Sequence, residues 1–142
     1  MRKLGIDYGD ARIGLALSDP MGIIASPLEV YARRGDVPDA AYIAALAARE
    51  QADALVIGNP KNMDGTVGAS ADKVLAFIAA LRTTLPAMPV FLVDERWTTV
   101  SAERALIAAD MRREKRRTVI DKIAAQIILQ AYLDNPGIHK PI

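Results

Sequence analysis

Four carboxylates in this sequence stand where a folded chain could put them to chemical use. Asp7 interrupts the apolar stretch Leu4-Gly5-Ile6 and is followed at once by Tyr8-Gly9. A strand aspartate ahead of a glycine turn is either a rigidly held metal ligand or base, or a residue that shapes the turn. Asp10 is available for the turn instead. Asp94 and Glu95 follow the apolar run Val90-Phe91-Leu92-Val93, at the strand edge where α/β proteins bind ligands. Successive residues on an extended chain face opposite ways, so only one of the two can share a site with Asp7. A surface acidic pair is the plainer alternative. Asp121 lies in a segment whose Ile120, Ile123, Ala124, Ile127, Ile128 and Ala131 recur at helical spacing, which puts it on the flank of the apolar stripe. Thr118-Val119-Ile120-Asp121 also matches a helix-capping pattern, which would make Asp121 the start of a helix.

Carboxylates gathered without His or Cys select hard divalent cations such as Mg²⁺ or Mn²⁺. Two such ions about 4 Å apart can activate water and steady the leaving oxygen of a phosphodiester. Repulsion among the acids predicts weak ion binding in the free protein. Other hydrolytic chemistries find little material. The 142 residues include no Cys and a single His, His139, which excludes thiolate sites and disulfides and argues against a Ser-His-Asp triad.

Composition sets the frame. Hydrophobic residues make up 51% and charged ones 25%, a folded globular balance sufficient for one domain over residues 1–142. A net charge of +1 gives no global attraction to nucleic acid, so any such binding needs a local patch. No apolar run approaches the roughly 20 residues that span a bilayer, and Met1-Arg2-Lys3 turns polar too soon for a signal peptide. A soluble cytoplasmic protein with no membrane partner is the expectation.

The elements that must position the acids follow from periodicity. Lys3–Tyr8 and Arg12–Ser18 read as hairpin strands around Gly9-Asp10-Ala11, with Gly9 supplying a backbone conformation closed to bulkier residues, and Pro27–Tyr31 as a third. Pro38–Gln51 reads as a helix, Ala54–Gly58 as a strand covered on both faces, and Asn59–Gly68 as a loop. A helix over Ala69–Arg82 would bury Val74, Leu75, Phe77, Ile78 and Leu81. Pro89–Val93 is a short strand, Thr98 or Thr99 caps a helix to about Ala109, and a last helix runs from about Val119 to Leu133. Strands come first as hairpins and then alternate with helices, a mixed α/β domain.

Cations crowd one place. Arg112, Arg113, Lys115, Arg116 and Arg117, opposed only by Glu114, precede the Asp121 segment. They form either a solvated loop or a phosphate track beside the acids. Arg96 could stabilise charge on a phosphate or pair with Asp94. Backbone amides around Gly65 and Gly68 could hold another phosphate, although the phosphate-loop ending is missing. Lys122 and Gln130 would face solvent or substrate, and Leu129 and Leu133 fall off the stripe, so the last helix would be buried all round or meet a partner chain.

Four ordered motifs resemble the YqgF/RuvX family and together span essentially the whole chain. They are Leu4-Gly5-Ile6-Asp7-Tyr8-Gly9 with Arg12-Ile13-Gly14-Leu15-Ala16 and Ser18-Asp19; Gly58-Asn59-Pro60 with Asn62-Met63-Asp64-Gly65-Thr66 and Gly68; Asp94-Glu95-Arg96 with Thr98-Thr99; and Ile120-Asp121-Lys122 with Ala124-Ala125 and Ile128-Leu129-Gln130. The resemblance implies a ribonuclease H-like fold: a mixed five-stranded sheet, three antiparallel hairpin strands plus two parallel ones, flanked by helices. It implies a RuvC-like, metal-dependent endonuclease that hydrolyses nucleic acid, either maturing the 5′ end of pre-16S rRNA or resolving Holliday junctions in branched DNA. Carried over by motif, Asp7, Glu95 and Asp121 are the catalytic acids and the ligands of Mg²⁺ or Mn²⁺, with two ions expected. Arg12, Arg96 and the basic run would contact substrate, and a monomer or weak homodimer is expected. The sequence departs from the family at Asp10, where a small or hydroxyl residue is expected, and at Ala11, where a cation is expected. Trp97 is unusually large for its place, where it would anchor the loop or stack on a base. Two further readings remain, a phosphate-binding hairpin of an actin-like ATPase and a nucleic-acid-binding module without chemistry. The first needs duplicated domains, and one chain of this length supplies one.

Overall fold

The computed structural model describes residues 1–59, 69–95, 98, 113–138 and 141–142. Strands β1 (Arg2–Tyr8), β2 (Arg12–Ser18) and β3 (Ala25–Ala32) form an antiparallel meander. Strands β4 (Ala52–Asn59) and β5 (Val90–Asp94) extend the sheet in parallel on the other side of β1, giving the order β3-β2-β1-β4-β5. Among the described residues three helices cover the sheet: α1 (Asp36–Arg49), α2 (Ala69–Thr84) and α3 (Arg113–Asp134). This is the mixed sheet of three antiparallel and two parallel strands that the family resemblance implies.

The period-2 pattern divides the core into two layers. On one face Leu4, Ile6, Ile13, Leu15, Leu55 and Ile57 meet Ile43 and Leu46 of α1 and Val74, Phe77, Ile78 and Leu81 of α2. On the other, Ala16, Val56 and Val93 meet Ala124, Ala125, Ile128, Leu129 and Tyr132 of α3. Leu75, expected inside, is 49% exposed because α2 turns its neighbours Val74 and Ile78 to the sheet. None of the described helices is long and apolar enough to cross a membrane.

Helix α3 departs from expectation in two ways. It starts at Arg113 rather than Val119, so Asp121 lies well inside it and cannot cap its start. Residues 113–117 contain no Gly or Pro and consist of good helix formers, which outweighs the capping signal at Thr118. Its buried face is also rotated from the predicted stripe. Ala124, Ala125, Ile128, Leu129 and Tyr132 are buried, whereas Ile123 and Ile127 are half-buried. Asp121 stands three and four residues before Ala124 and Ala125, and so joins the sheet-facing side instead of its flank.

Strand β3 begins two residues before the expected Pro27 because two side chains shape its entry. The Asp19 carboxylate accepts the backbone N–H groups of Met21 (3.1 Å), Ile23 (2.7 Å) and Ile24 (2.7 Å). These bonds hold its carboxyl below the usual range. Gln130 accepts the Ala25 N–H (2.8 Å) and donates to the Ile23 carbonyl (2.9 Å), so its expected exposed role gives way to fastening β3 onto α3.

Candidate active site

Alternation along β1 sends Ile6 and Tyr8 toward α1 and α2, and Gly5 and Asp7 toward α3. Asp7 is only 7% exposed at the end of its strand. Glycines then bring the other acids to the same place. Asp7 pairs in register with Gly14 of β2, and a Cβ at Gly14 would overlap the backbone carbonyl of Asp121. The missing side chain lets α3 settle directly on β2, which carries Asp121 to the strand neighbouring Asp7.

The third acid arrives from the opposite side of β1. Ile6 pairs with Ile57, so Asp7 lies one step further on, beside Gly58 of a strand about 4.8 Å away. A Cβ at Gly58 would come 2.9 Å from the Glu95 Oε1 and 2.6 Å from the Ile128 Cδ1. Glu95 therefore extends its carboxylate across the end of β4. Val93 packs into the α3 layer and Asp94 pairs with Asn59 at the strand end, so alternation gives the α3 face to Glu95 rather than Asp94. Thr98 closes the following turn, its N–H (3.1 Å) and Oγ1 (2.8 Å) both donating to the Glu95 carbonyl. Asp7, Glu95 and Asp121 are thus assembled on one face, at one end of the sheet.

The donor set is all carboxylate oxygen, which suits a hard divalent cation, and the missing side chain at Gly58 leaves the room that Glu95 Oε1 and Ile128 Cδ1 fill. The acids are not drawn into a closed cage. Among the described residues no three His, Cys, Asp or Glu side chains are grouped as a metal site. The Asp121 carboxylate is instead engaged by Arg12, whose Nε donates to Oδ2 at 2.8 Å. Arg12, expected at substrate, thus stands beside the acids.

Other expectations resolve residue by residue. Asp10 is paired with a cation, Lys73 of α2, whose Nζ lies 3.0 Å from Oδ1. Gly9 is required by crowding, not by an unusual dihedral: its N–H donates to the Arg12 carbonyl, and a Cβ would lie 2.7 Å from that oxygen. Arg113, Lys115, Arg116 and Arg117 belong to the first turns of α3 rather than to a loop before it. Arg96, Trp97, Arg112, the 60–68 loop with Gly65 and Gly68, the helix expected to follow Thr99, and His139 lie outside the described residues.

Sequence reasoning missed a polar cluster on the opposite face. Asp39 is fully buried and accepts hydrogen bonds from Arg33 Nε (2.9 Å), Arg34 N–H (2.9 Å) and Gly35 N–H (3.3 Å). Burial alone would raise its carboxyl, but these bonds and one with Tyr31 outweigh burial and hold it below the ordinary range. Arg33 also donates to Asp36 (2.6 Å) and to the Gly9 carbonyl (3.4 Å), and its guanidinium lies 4.4 Å from the Tyr8 ring centre. Tyr8 donates to Asp36 at 3.0 Å; burial and that carboxylate push its hydroxyl up to about 12. Nothing in the spacing of Arg33-Arg34-Gly35-Asp36 marks Asp39 as buried.

Comparison with known proteins follows this geometry. The RuvX family model, described as Holliday junction resolvase, matches residues 1–135. A protein of Halothermothrix orenii named "Putative pre-16S rRNA nuclease" is 48% identical over 134 residues, covering 94% of this chain and 95% of its own. One of the same name from Desulforamulus reducens is 47% identical, covering 95% and 98%. Among solved structures, Thermus thermophilus RuvC in complex with Holliday junction substrate superposes over all of both chains with a TM-score of 0.62 at 17% identity. The Fowlpox virus resolvase with Holliday junction DNA covers 96% of this chain and 99% of its own, with a TM-score of 0.54 at 10% identity. These structures share the ribonuclease H-like fold. A family model matched along nearly the whole sequence, and relatives close to half identical to it, establish that the chain belongs to the RuvX family.

Proposed function

We propose that this protein is a metal-dependent endonuclease that hydrolyses phosphodiester bonds in structured nucleic acid, acting in maturation of the 5′ end of pre-16S rRNA. The observation that carries the chemistry is the convergence of Asp7, Glu95 and Asp121 beside two glycines that would clash with the site if they bore side chains. The names of the relatives carry the choice of RNA. Divalent ions bound here, Mg²⁺ or Mn²⁺ and two in number, would supply an activated water and charge neutralisation of the leaving oxygen.

The chain's own residues do the rest. Asp7, set on a buried strand end, holds a fixed position between Glu95 on one side and Asp121 on the other. Burial lowers the local dielectric, which strengthens every charge interaction made there. Arg113, Lys115, Arg116 and Arg117 share a helix with Asp121 and stand about 6–12 Å along its axis from that acid. Binding should then weaken with salt, by about 0.9 log units per log unit for each duplex phosphate contacted.

Resolution of branched DNA is the second reading, favoured by the family's description and by the fold shared with two resolvases. A cleavage screen with Mg²⁺ and Mn²⁺ over pre-16S rRNA, junction DNA and single strands decides between them. Cutting at the 5′ boundary of 16S rRNA supports the first reading. Paired nicks in junction DNA alone support the second. Binding without cutting of any substrate leaves a nucleic-acid-binding module and overturns both.

A further inference from the structure

We propose that Arg12 is a built-in competitor for the ion: it occupies Asp121 in the metal-free protein and must release it before the acids can close on a cation. This rests on the metal-dependent reading above and adds a residue that sets how tightly the ion is held.

The geometry leaves Asp121 one way to move. Its backbone is seated on Gly14, and α3 is held along its length by Ala125 and Leu129 against Gly5 and by Ile128 against Gly58. The helix cannot slide without clashes, so only the side chain can turn, between discrete rotamers. In one of them Oδ2 takes the Arg12 Nε at 2.8 Å. Arg12 lies two residues before Gly14 on the same strand, whereas Asp7 lies across from Gly14 on β1, so the contact with Arg12 and an approach to Asp7 take the carboxylate in different directions. The Asp121 and Arg12 side chains are 18% and 34% exposed, so solvent screens their pair incompletely. A guanidinium here does electrostatically what an ion would do: it offsets the repulsion that gathering carboxylates creates.

A different role for the same contact makes the opposite prediction. If Arg12 merely oriented Asp121 as a ligand, its loss would weaken ion binding, as loss of outer-shell partners generally does. As a competitor, its loss tightens binding. The test is Mn²⁺ titration of the whole protein, with free Mn²⁺ read by electron paramagnetic resonance and folding checked by circular dichroism. The proteins are wild type, Arg12→Gln, Arg12→Lys, Asp121→Asn and the Arg12→Gln/Asp121→Asn double variant. Arg12→Gln should lower the Mn²⁺ dissociation constant about three- to tenfold, the range of one ordinary net hydrogen bond, since solvent partly screens the pair. Arg12→Lys, which keeps the charge but not the Nε contact, should shift it less and in the same direction. In the Asp121→Asn background the Arg12 substitution should change little, since the two residues act on one another. Unchanged or weaker binding by Arg12→Gln overturns the proposal, as does an equal gain in both backgrounds. Wild type and Arg12→Gln both failing to bind Mn²⁺ would overturn the metal-dependent reading and this inference together.

Discussion

Asp7 and Tyr8 are adjacent in β1 but serve opposite faces of the sheet, and the two faces treat charge differently. Around Tyr8 the charges are closed on one another. Asp39 is bound by Arg33 and two backbone N–H groups, Arg33 by Asp36 and the Tyr8 ring, and Tyr8 by Asp36. Around Asp7 the sheet is paved with glycine at positions 14 and 58, and acids from three separate stretches of chain are brought together. A closed cluster is suited to holding the β1–β2 hairpin in place, since Arg33 reaches the Gly9 carbonyl behind the turn. Acids placed at one end of the sheet, with Arg12 already on Asp121, suit the attraction of a cation better than the stabilisation of a fold. The difference separates architecture from chemistry within two residues.

Exchanging the damage between the faces gives the largest effect. Asp7→Asn should reduce Mn²⁺-dependent cleavage by about a thousandfold, or ~4 kcal/mol of barrier, while nucleic-acid affinity and melting temperature stay near wild type. Retained cleavage with altered stability would assign Asp7 to architecture. Asp39→Asn should do the reverse. Breaking the pair with Arg33 should cost about 2–4 kcal/mol of unfolding free energy with the chemistry preserved in the folded fraction. The acid limb sharpens this. A carboxyl held low in the folded state contributes stability above its unfolded value near 4 and loses it as pH falls toward the folded value. Wild type should therefore lose stability below about pH 4, and urea titrations of Asp39→Asn should show a shallower loss there.

How much of this contrast could be read in advance depends on what each feature rests upon. Asp7 was legible because a charged residue in an apolar strand breaks a local pattern. The mixed α/β class followed from hairpins succeeded by strand–helix alternation, and the five-stranded mixed sheet from the family resemblance. The motif named Glu95, but the residues alone left Asp94 and Glu95 open, because choosing between them requires knowing which face Val93 joins, a fact set by α3 packing. The start of α3 was hidden by a capping pattern that occurs by chance inside a longer helix. Its rotation was hidden because sheet glycines, not the helix's own apolar residues, decide which side sits closest. The Arg33–Asp39 cluster was illegible altogether. Its members span a turn and a helix start, and only tertiary packing makes Asp39 the buried one.

The glycine paving can be tested apart from the acids. Gly14→Ala places a methyl group against the Asp121 carbonyl, which is backbone and cannot step aside without moving α3. Overpacking of this kind costs about 1–3 kcal/mol, and the displaced helix should also weaken Mn²⁺ binding because Asp121 moves with it. Gly22→Ala is the control, since nothing lies within 4 Å of a Cβ there; its positive φ of 72° should cost some stability without touching ion binding. Equal ion affinity in wild type and Gly14→Ala would mean that the approach of α3 to β2 does not set the site.

The smallest effect concerns the hydroxyl that completes the closed face. Tyr8→Phe keeps the ring against Phe77, with centroids 4.7 Å apart, and keeps the surface beneath Arg33. It removes only the 3.0 Å bond to Asp36, so about 1 kcal/mol should be lost at neutral pH. Alkali distinguishes this from a general loosening. The hydroxyl is pushed up to about 12 in the folded protein, so its contribution is intact below the unfolded value near 10 and disappears as pH rises through 12. Wild type and Tyr8→Phe should therefore converge in stability across that interval, with cleavage at neutral pH unchanged in the variant. No gap at neutral pH would mean that the ring's packing, and not its hydroxyl, joins Tyr8 to the cluster. Reduced cleavage would mean that the two faces are coupled through the hairpin instead of being divided by the sheet.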